Sequence, residues 1–259
     1  MIQKKIFSIF LFTILTFHVN CQIKNQRDAA GLRQGYWEAV DSRGMLVYAG
    51  YFKDDNPVGE MKRYFPDGGL RVIMYHDSIG SNVRARFFWP NTGVLASQGN
   101  YIDTKRDSVW LFYGQNRSLL SRIEYHDGKR NGIEQKFFSE NGGIAEEITW
   151  KDDQKEGPWK QYFVNGQLKF SAYCVDDKLE GAYTSFYPDG KKENEGFFRN
   201  GLPDGEWIRY NDNGEYVATI KYENGFISNL DELEKSDMLF LIDEVEEYIP
   251  EPTIEDFFR

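Results

Sequence analysis

The stretch of sequence that decides the fold is residues 157–173, which read GPWKQYFVNGQLKFSAY. Its first part, Gly-x-Trp-x-x-Tyr, is rich in aromatic residues and predicts a β-strand. Asn165 and Gly166 follow, and both residue types accept the positive φ angles that a tight hairpin turn requires. The alternating residues 168–173 predict a return strand that closes on an aromatic ring, Tyr173. This stretch therefore predicts one β-hairpin.

The same pattern returns about every 24 residues, which is the mark of a repeat protein. The first glycine of the pattern, replaced by Val83 and Ser108 in two units, is Gly35, Gly59, Gly132, Gly157, Gly181 and Gly205. The large residue two positions later, replaced by Ala85 and Glu134 in two units, is Trp37, Met61, Trp110, Trp159, Tyr183 and Trp207. Three positions further on come Val40, Tyr64, Phe88, Tyr113, Phe137, Tyr162, Phe186 and Tyr210. The aromatic residues that close the units are Tyr51, Tyr75, Tyr101, Tyr125, Trp150, Tyr173, Phe197 and Tyr222.

These columns predict an all-β protein, an elongated single-layer β-meander of about eight hairpin repeats in which each unit packs only on its neighbours. Glycine recurs too often for a helical body, because each glycine in a helix interior costs about 1 kcal/mol. A single layer has little conventional core. We therefore expect the tryptophan column to be buried between neighbouring units, where it would supply most of the apolar contact.

The repeats resemble the MORN repeat family, and more closely its bacterial variant form. The resemblance rests on stretches such as Asn200-Gly201 through Gly205, Trp207 and Tyr210, and it covers roughly residues 31–225. It implies a β-hairpin array that serves as a binding or scaffolding surface. Relatives of this kind are often labelled antitoxin-like.

The two ends of the chain differ from the repeats. Residues 1–21 have two lysines followed by an apolar run and predict a signal peptide, with residues 22–30 as a short linker before the array at 31–228. Cys21 is a lipidation candidate, although His18 and Asn20 depart from the usual lipoprotein pattern, and ordinary cleavage after Cys21 is the alternative. Either route predicts export to the periplasm or the outer membrane, and lipoprotein processing would add an N-terminal lipid as the membrane attachment.

Residues 229–259 predict an acidic amphipathic helix and tail. Their apolar residues fall near helical spacing, Asn229 and Glu232 have the spacing of a capping box, and Pro250 follows the helix. Such a helix would cover the open edge of the sheet. Residues 231–259 carry eleven acids and two basic residues, so they account for nearly all of the formal net charge of −10.

The sequence offers little that is typical of an enzyme. Beyond the signal region the histidines are His76 and His126, which occupy the same slot of different repeats and lie too far apart to share a metal. The loop acids lack the compact spacing of a calcium loop and are better read as turn residues, namely Asp77, Asp103, Asp127, Asp152 and Asp176. We expect no catalytic residues, no metal and no cofactor. The near-neutral repeat body also disfavours nucleic-acid binding.

The aromatic columns remain as the candidate binding surface. This surface comprises Trp37, Trp110, Trp159, Tyr183 and Trp207, together with Tyr162 and Tyr210. We expect a non-catalytic protein-binding or scaffold protein of the bacterial cell envelope, with an unidentified protein partner. The alternatives are a carbohydrate- or cell-wall-binding module that stacks sugars on the rings, and an immunity or antitoxin-like protein.

Overall fold

The computed structural model describes residues 23–77 and 81–233, and within these ranges the chain is built from β-strands and turns, without helices. All strands belong to one open antiparallel sheet. The strands are β1 (Gln26–Arg27), β2 (Arg33–Val40), β3 (Leu46–Lys53), β4 (Asn56–Tyr64), β5 (Leu70–His76), β6 (Asn82–Phe88), β7 (Leu95–Ile102), β8 (Lys105–Tyr113), β9 (Leu119–His126), β10 (Lys129–Phe137), β11 (Ile144–Lys151), β12 (Gln154–Tyr162), β13 (Leu168–Val175), β14 (Lys178–Leu179), β15 (Gly181–Phe186), β16 (Lys192–Arg199), β17 (Leu202–Tyr210), β18 (Tyr216–Glu223) and β19 (Phe226–Ile227).

The strands form a continuous meander of two-stranded units, as the repeat predicts. From β2 onward, consecutive strands pair with each other, except that β14 and β15 are successive segments that both pair with β13. Eight hairpins result, from β2–β3 to β17–β18, with the two-residue strands β1 and β19 at the ends. Local contacts between consecutive strands therefore hold the whole fold together.

Two kinds of turn alternate along the chain, one at each end of the strands. The turn with two positive φ angles is not the one that the sequence predicts. At Asn165–Gly166 only the glycine has a positive φ, of 85°. Asn165 acts through its side chain, whose Oδ1 accepts a hydrogen bond of 3.0 Å from the Gln167 amide. The two-residue turns with positive φ at both positions lie between units instead, for example at Asp176 (48°) and Asp177 (64°).

The first glycine of each unit marks a bulge within the first strand. Gly157 has φ of 125°, and the pairing of β11 with β12 shifts register beside it. Ser108 keeps this left-handed conformation, with φ of 59°, at the cost of the strain that a side chain brings there. Val83 does not, and the pairing of β5 with β6 runs without a shift. The valine therefore marks a unit that lacks the bulge.

The predicted C-terminal helix is not supported. Residues 229–233 form a turn, and the rest of the predicted helix lies outside the described residues, as does the predicted signal peptide with Cys21. Asn229 is buried, 5% exposed, and does not cap a helix. Its side chain faces the sheet, because Oδ1 accepts from the Lys221 amide at 2.8 Å and Nδ2 donates to the Thr219 carbonyl at 2.9 Å.

Because side chains alternate between the two sides of a strand, the sheet has two distinct faces. We call the side that carries Trp37, Trp110, Trp159, Tyr183 and Trp207 the ring face, and the other side the second face. The best buried cluster, Trp110, Phe112 and Ile123, lies on the ring face in the middle of the array. A single layer thus builds its core on one side.

Candidate functional site

The tryptophan column packs ring against ring along the ring face. In the C-terminal units the ring centroids of Tyr183 and Trp207 lie 5.4 Å apart, and those of Phe198 and Trp207 lie 5.0 Å apart, nearly perpendicular. Tyr222 meets Trp207 edge-on from the other side, at 5.9 Å. In the middle units Trp110 is only 1% exposed. These ring contacts join repeat to repeat, but only Trp110 is fully buried, whereas Trp37, Trp159 and Trp207 are half-buried.

A small residue lies beneath the tryptophan wherever the indole crosses the preceding strand. A Cβ atom added to Gly99 would lie 2.3 Å from Cδ2 of Trp110, and one added to Gly196 would lie 2.3 Å from Cδ2 of Trp207. The crossing carries each indole N–H to a backbone carbonyl of that strand. Trp110 donates to the Asn100 carbonyl at 3.0 Å, and Trp207 donates to a carbonyl at 3.1 Å.

Trp159 is the exception, and its neighbour explains why. Ile148, not a glycine, is its pairing partner on the preceding strand. The Trp159 indole consequently donates to a side chain, Oε1 of Glu146, at 2.8 Å. The same oxygen accepts from Gln161 at 3.0 Å. The residue that faces the tryptophan on the preceding strand therefore determines whether the indole N–H donates to a backbone carbonyl or to a carboxylate.

Glu146 belongs to a buried polar cluster that the sequence did not reveal. Burial acts to raise its pKa, but the ammonium of Lys136, 2.7 Å away, and the hydrogen bonds of Trp159 and Gln161 hold that pKa below its usual range. Glu134, at the tryptophan position of its own unit, is 5% exposed. Burial raises the pKa of Glu134, because nearby positive charges do not offset the loss of water.

Tyr162 and Tyr210, which we grouped with the tryptophans, lie on the second face. Each hydroxyl donates to a glutamate fifteen residues earlier, Tyr162 to Glu147 at 3.0 Å and Tyr210 to Glu195 at 2.7 Å. Burial and the acceptor carboxylate raise the pKa of Tyr162. The proposed binding column is therefore divided between two sides of the sheet.

The residue type at this second-face position follows its neighbour. Tyr113 also has a partner fifteen residues earlier, but here the hydroxyl accepts, from the side-chain amide of Gln98 at 3.1 Å. Where the ring is phenylalanine, at Phe88, Phe137 and Phe186, the residue fifteen positions earlier is not a carboxylate or amide but Ile73, Arg122 and Ser171. Tyr64, which faces Ala49, is the exception. Tyrosine thus appears mainly where a polar side chain can hydrogen-bond with its hydroxyl.

The second face also carries the most exposed rings of the column that closes each unit. Tyr51 is 42% exposed, Tyr75 36%, Tyr173 46% and Phe197 58%. The other closing rings lie on the ring face, where Tyr101, for example, meets Trp110 edge-on at 4.9 Å. Where the closing ring lies on the second face, the next residue in sequence occupies its place on the ring face.

In the C-terminal half these exposed rings border a shallow groove. Tyr173 and Val175 line it, together with Pro158 of the preceding strand and Ala182 of the following one. Phe197 pairs with Ala182 and extends the apolar surface by one strand. Lys160 and Glu180 place one charge of each sign at the groove. An exposed apolar patch with a polar border is typical of a protein contact surface.

Comparison with protein families identifies the repeats. The model described as MORN repeat variant matches residues 132–152, 179–200 and 203–224. These segments are MORN repeat variants. They cover units whose first glycines are Gly132, Gly181 and Gly205, so the match follows the two-stranded unit seen in the sheet. The other units of the array repeat the same hairpin.

Comparisons with whole proteins add little to the MORN assignment. No curated protein sequence matches the chain. The solved structures that resemble it include TarM, at 13% identity and a TM-score of 0.28, with 46% of this chain and 21% of TarM covered. A mutant of S. aureus TarM in complex with Fondaparinux, alpha-GlcNAc-glycerol and UDP is similar at 11% identity and a TM-score of 0.29, covering 48% and 21%. The chain thus spans about a fifth of those proteins.

In the described part of the repeat array, the histidines and loop acids do not come together at one site. The side chain of His76 is half-buried, and burial lowers its pKa, whereas that of His126 is mostly exposed and lies 3.3 Å from Asp107. Within residues 23–77 and 81–233, no three His, Cys, Asp or Glu side chains are placed to hold a metal ion. Asp103, Asp127, Asp152 and Asp176 take positive φ in the turns between units.

Cys174 is a buried free thiol on the ring face, 1% exposed, in the position that Phe198 fills in the next unit. Burial raises the pKa of its thiol. No helix capable of crossing a membrane occurs in the part of the chain that the structure describes.

Proposed function

We propose that this chain is a non-catalytic, protein-binding repeat protein of the bacterial cell envelope, and that it binds its partner through the second face. One observation supports this choice above the rest. The rings of the ring face are engaged with one another, whereas Tyr173 and Phe197 project from the opposite side at 46% and 58% exposure. Exposed aromatic side chains next to a groove are the residues that most often dominate protein–protein binding energies.

The surroundings of these rings favour a protein over a sugar ligand. A sugar stacks on an open ring face, whereas Trp207 is flanked by Tyr183, Phe198 and Tyr222 at 5.0–5.9 Å. The groove at Tyr173 mixes apolar lining with Lys160 and Glu180, a composition typical of protein interfaces. Export follows from the lysines and apolar run at the N-terminus, and it would place this surface in the envelope.

Site-specific photocrosslinking in the native host tests the proposal. A photoreactive phenylalanine analogue is placed at Phe197 in one variant and at Tyr173 in another. Val164, 53% exposed in the turn at the other end of the strands, is the matched control. We expect the two second-face positions to capture the same envelope protein, and Val164 not to capture it. Capture should fall when Phe197→Ala is added to the Tyr173 variant.

Other outcomes would overturn the proposal. Adducts with cell-wall glycan in place of protein would favour the carbohydrate-binding alternative. A cytoplasmic toxin as the captured protein would favour the immunity or antitoxin-like alternative. Equal capture from the Val164 control would show that the second face has no specific partner.

A further inference from the structure

The first edge of the sheet is closed by a side chain. β1 covers only the beginning of β2, where Gln26 pairs with Gln34. Beyond this point Asn25 continues the pairing through its amide group. Its Nδ2 donates to the Glu38 carbonyl at 3.1 Å, and its Oδ1 accepts from the Glu38 amide at 2.8 Å. An asparagine side chain thus stands where the peptide group of a preceding strand would stand.

The last edge is closed by the same chemistry. β19 covers only the end of β18, where Tyr222 pairs with Ile227. Asn229 then bonds to both the Lys221 amide and the Thr219 carbonyl with its side-chain amide. Unpaired amide and carbonyl groups on an edge strand invite another strand to pair. Both ends of the array therefore occupy these groups with an asparagine.

The two edge strands are complementary to each other, so two copies could pair end to end if the edges were open. β2 is the first strand of a unit and β18 is the second strand of a unit, so β2 of another copy could follow β18 as β17 follows β16. In that junction Trp37 of the second copy would face Ile220, as Trp159 faces Ile148 within the array. Such a head-to-tail contact does not close on itself and would extend into a fibre.

From these contacts we infer that Asn25 and Asn229 prevent end-to-end pairing of this protein with a second copy of itself. They do so by occupying the edge hydrogen-bonding groups of β2 and β18. Partners of other kinds are thereby directed to the faces of the sheet and not to its edges. This inference is independent of which partner the second face binds.

Removing both side-chain amides tests the inference. Asn25 has φ of 60°, so Asn25→Gly removes the amide without backbone strain. It is combined with Asn229→Ala, and we call the resulting double mutant the open-ended variant. The matched control is Asn224→Gly with Asn213→Ala, because Asn224 also has positive φ, of 53°, and both lie in turns away from these amide contacts. Mass is measured by light scattering over a tenfold range of protein concentration.

We expect the wild type and the control to remain monomeric, and the open-ended variant to gain mass by about twofold or more without a plateau at the dimer. Circular dichroism verifies that each variant is folded. Asn229→Asp, which keeps the shape and an acceptor but loses the donor, replaces Asn229→Ala where a less disruptive change is needed. A folded open-ended variant that stays monomeric, or a wild type that itself assembles, would overturn the inference.

A crosslink distinguishes edge pairing from unspecific aggregation. The pairing of Glu195 with Ile208 predicts that Thr219 of one copy lies opposite Glu38 of the next. Cysteines at these two positions should form an intermolecular disulfide in the open-ended variant and not in the otherwise wild-type protein. Association without this crosslink would contradict the proposed end-to-end junction.

Discussion

At Gly196, adding a single Cβ atom should disrupt the packing of the Trp207 indole and so of its repeat. An added Cβ would lie 2.3 Å from Cδ2 and 2.5 Å from Cε2 of Trp207, whereas carbon atoms in contact lie about 3.5–4.0 Å apart. In Gly196→Ala the indole must therefore move by more than about 1 Å. This movement would break its 3.1 Å bond to the Phe197 carbonyl and its contact with Phe198.

The expected cost follows from these two losses. Overpacking of a well-packed site costs about 1–3 kcal/mol, and a lost hydrogen bond adds about 1 kcal/mol, so Gly196→Ala should destabilise the C-terminal units by about 2–4 kcal/mol. In a Trp207→Ala background the clashing atoms Cγ, Cδ2 and Cε2 are gone. There the same change should stabilise by about 0.5–1 kcal/mol, because alanine loses less entropy than glycine in a strand.

The assay is a double-mutant cycle on Gly196 and Trp207. Urea unfolding followed by circular dichroism gives the overall effect, and amide hydrogen exchange of β16 and β17 reports the local unit, since repeats need not unfold together. A change of sign between the two backgrounds is expected. Equal effects of Gly196→Ala in both backgrounds would refute the account of the indole crossing over the glycine.

Three further predictions concern single side chains. The pKa of Glu134 is raised above its ordinary 4.5, so the protein loses stability as pH rises through the pKa of the folded state. Glu134→Gln should therefore unfold at a higher temperature than wild type at pH 7. This difference should vanish near pH 4, where the wild-type carboxyl is protonated. Tyr162→Phe should lower the free energy of unfolding in urea by about 1 kcal/mol, because the hydrogen bond to Glu147 is lost. Phe88→Tyr, which adds a hydroxyl at the matching position of another unit, should not raise the free energy of unfolding. Ser108→Gly should stabilise by about 1 kcal/mol by relieving its positive φ, and a decrease in the unfolding midpoint would contradict this.

Much of the fold could be predicted from the sequence because the repeat is local. Glycine and aromatic residues recur at steps of 24 or 25 residues, and each hairpin needs only its neighbour. The division of the closing aromatic column between two faces was missed. Its steps include 26 before Tyr101 and 23 before Tyr173, which a regular unit does not allow. These two steps mark two of the three places where the column changes face; the third change, from Phe197 to Tyr222, occurs at an ordinary step of 25 residues.

The regular ring-face column was therefore visible in principle. It runs at steps of 24 or 25 residues through Phe52, His76, Tyr101, Tyr125, Trp150, Cys174, Phe198 and Tyr222. The buried pair Glu134 and Glu146 was harder to foresee, because the sequence shows only a glutamate in a tryptophan slot. The edge role of Asn229 could not be separated from a helix cap, since the same residue type suits both.

The central claim is that one face of the sheet holds the repeats together while the other is free to bind, and two adjacent residues test it most directly. Phe197 projects from the second face at 58% exposure, and Phe198 packs on Tyr183 and Trp207. The measurement is the unfolding free energy of Phe197→Ala against Phe198→Ala. We predict a loss below about 1 kcal/mol for Phe197→Ala and about 2–3 kcal/mol for Phe198→Ala. Equal losses, or a larger loss at Phe197, would contradict the division of labour between the two faces.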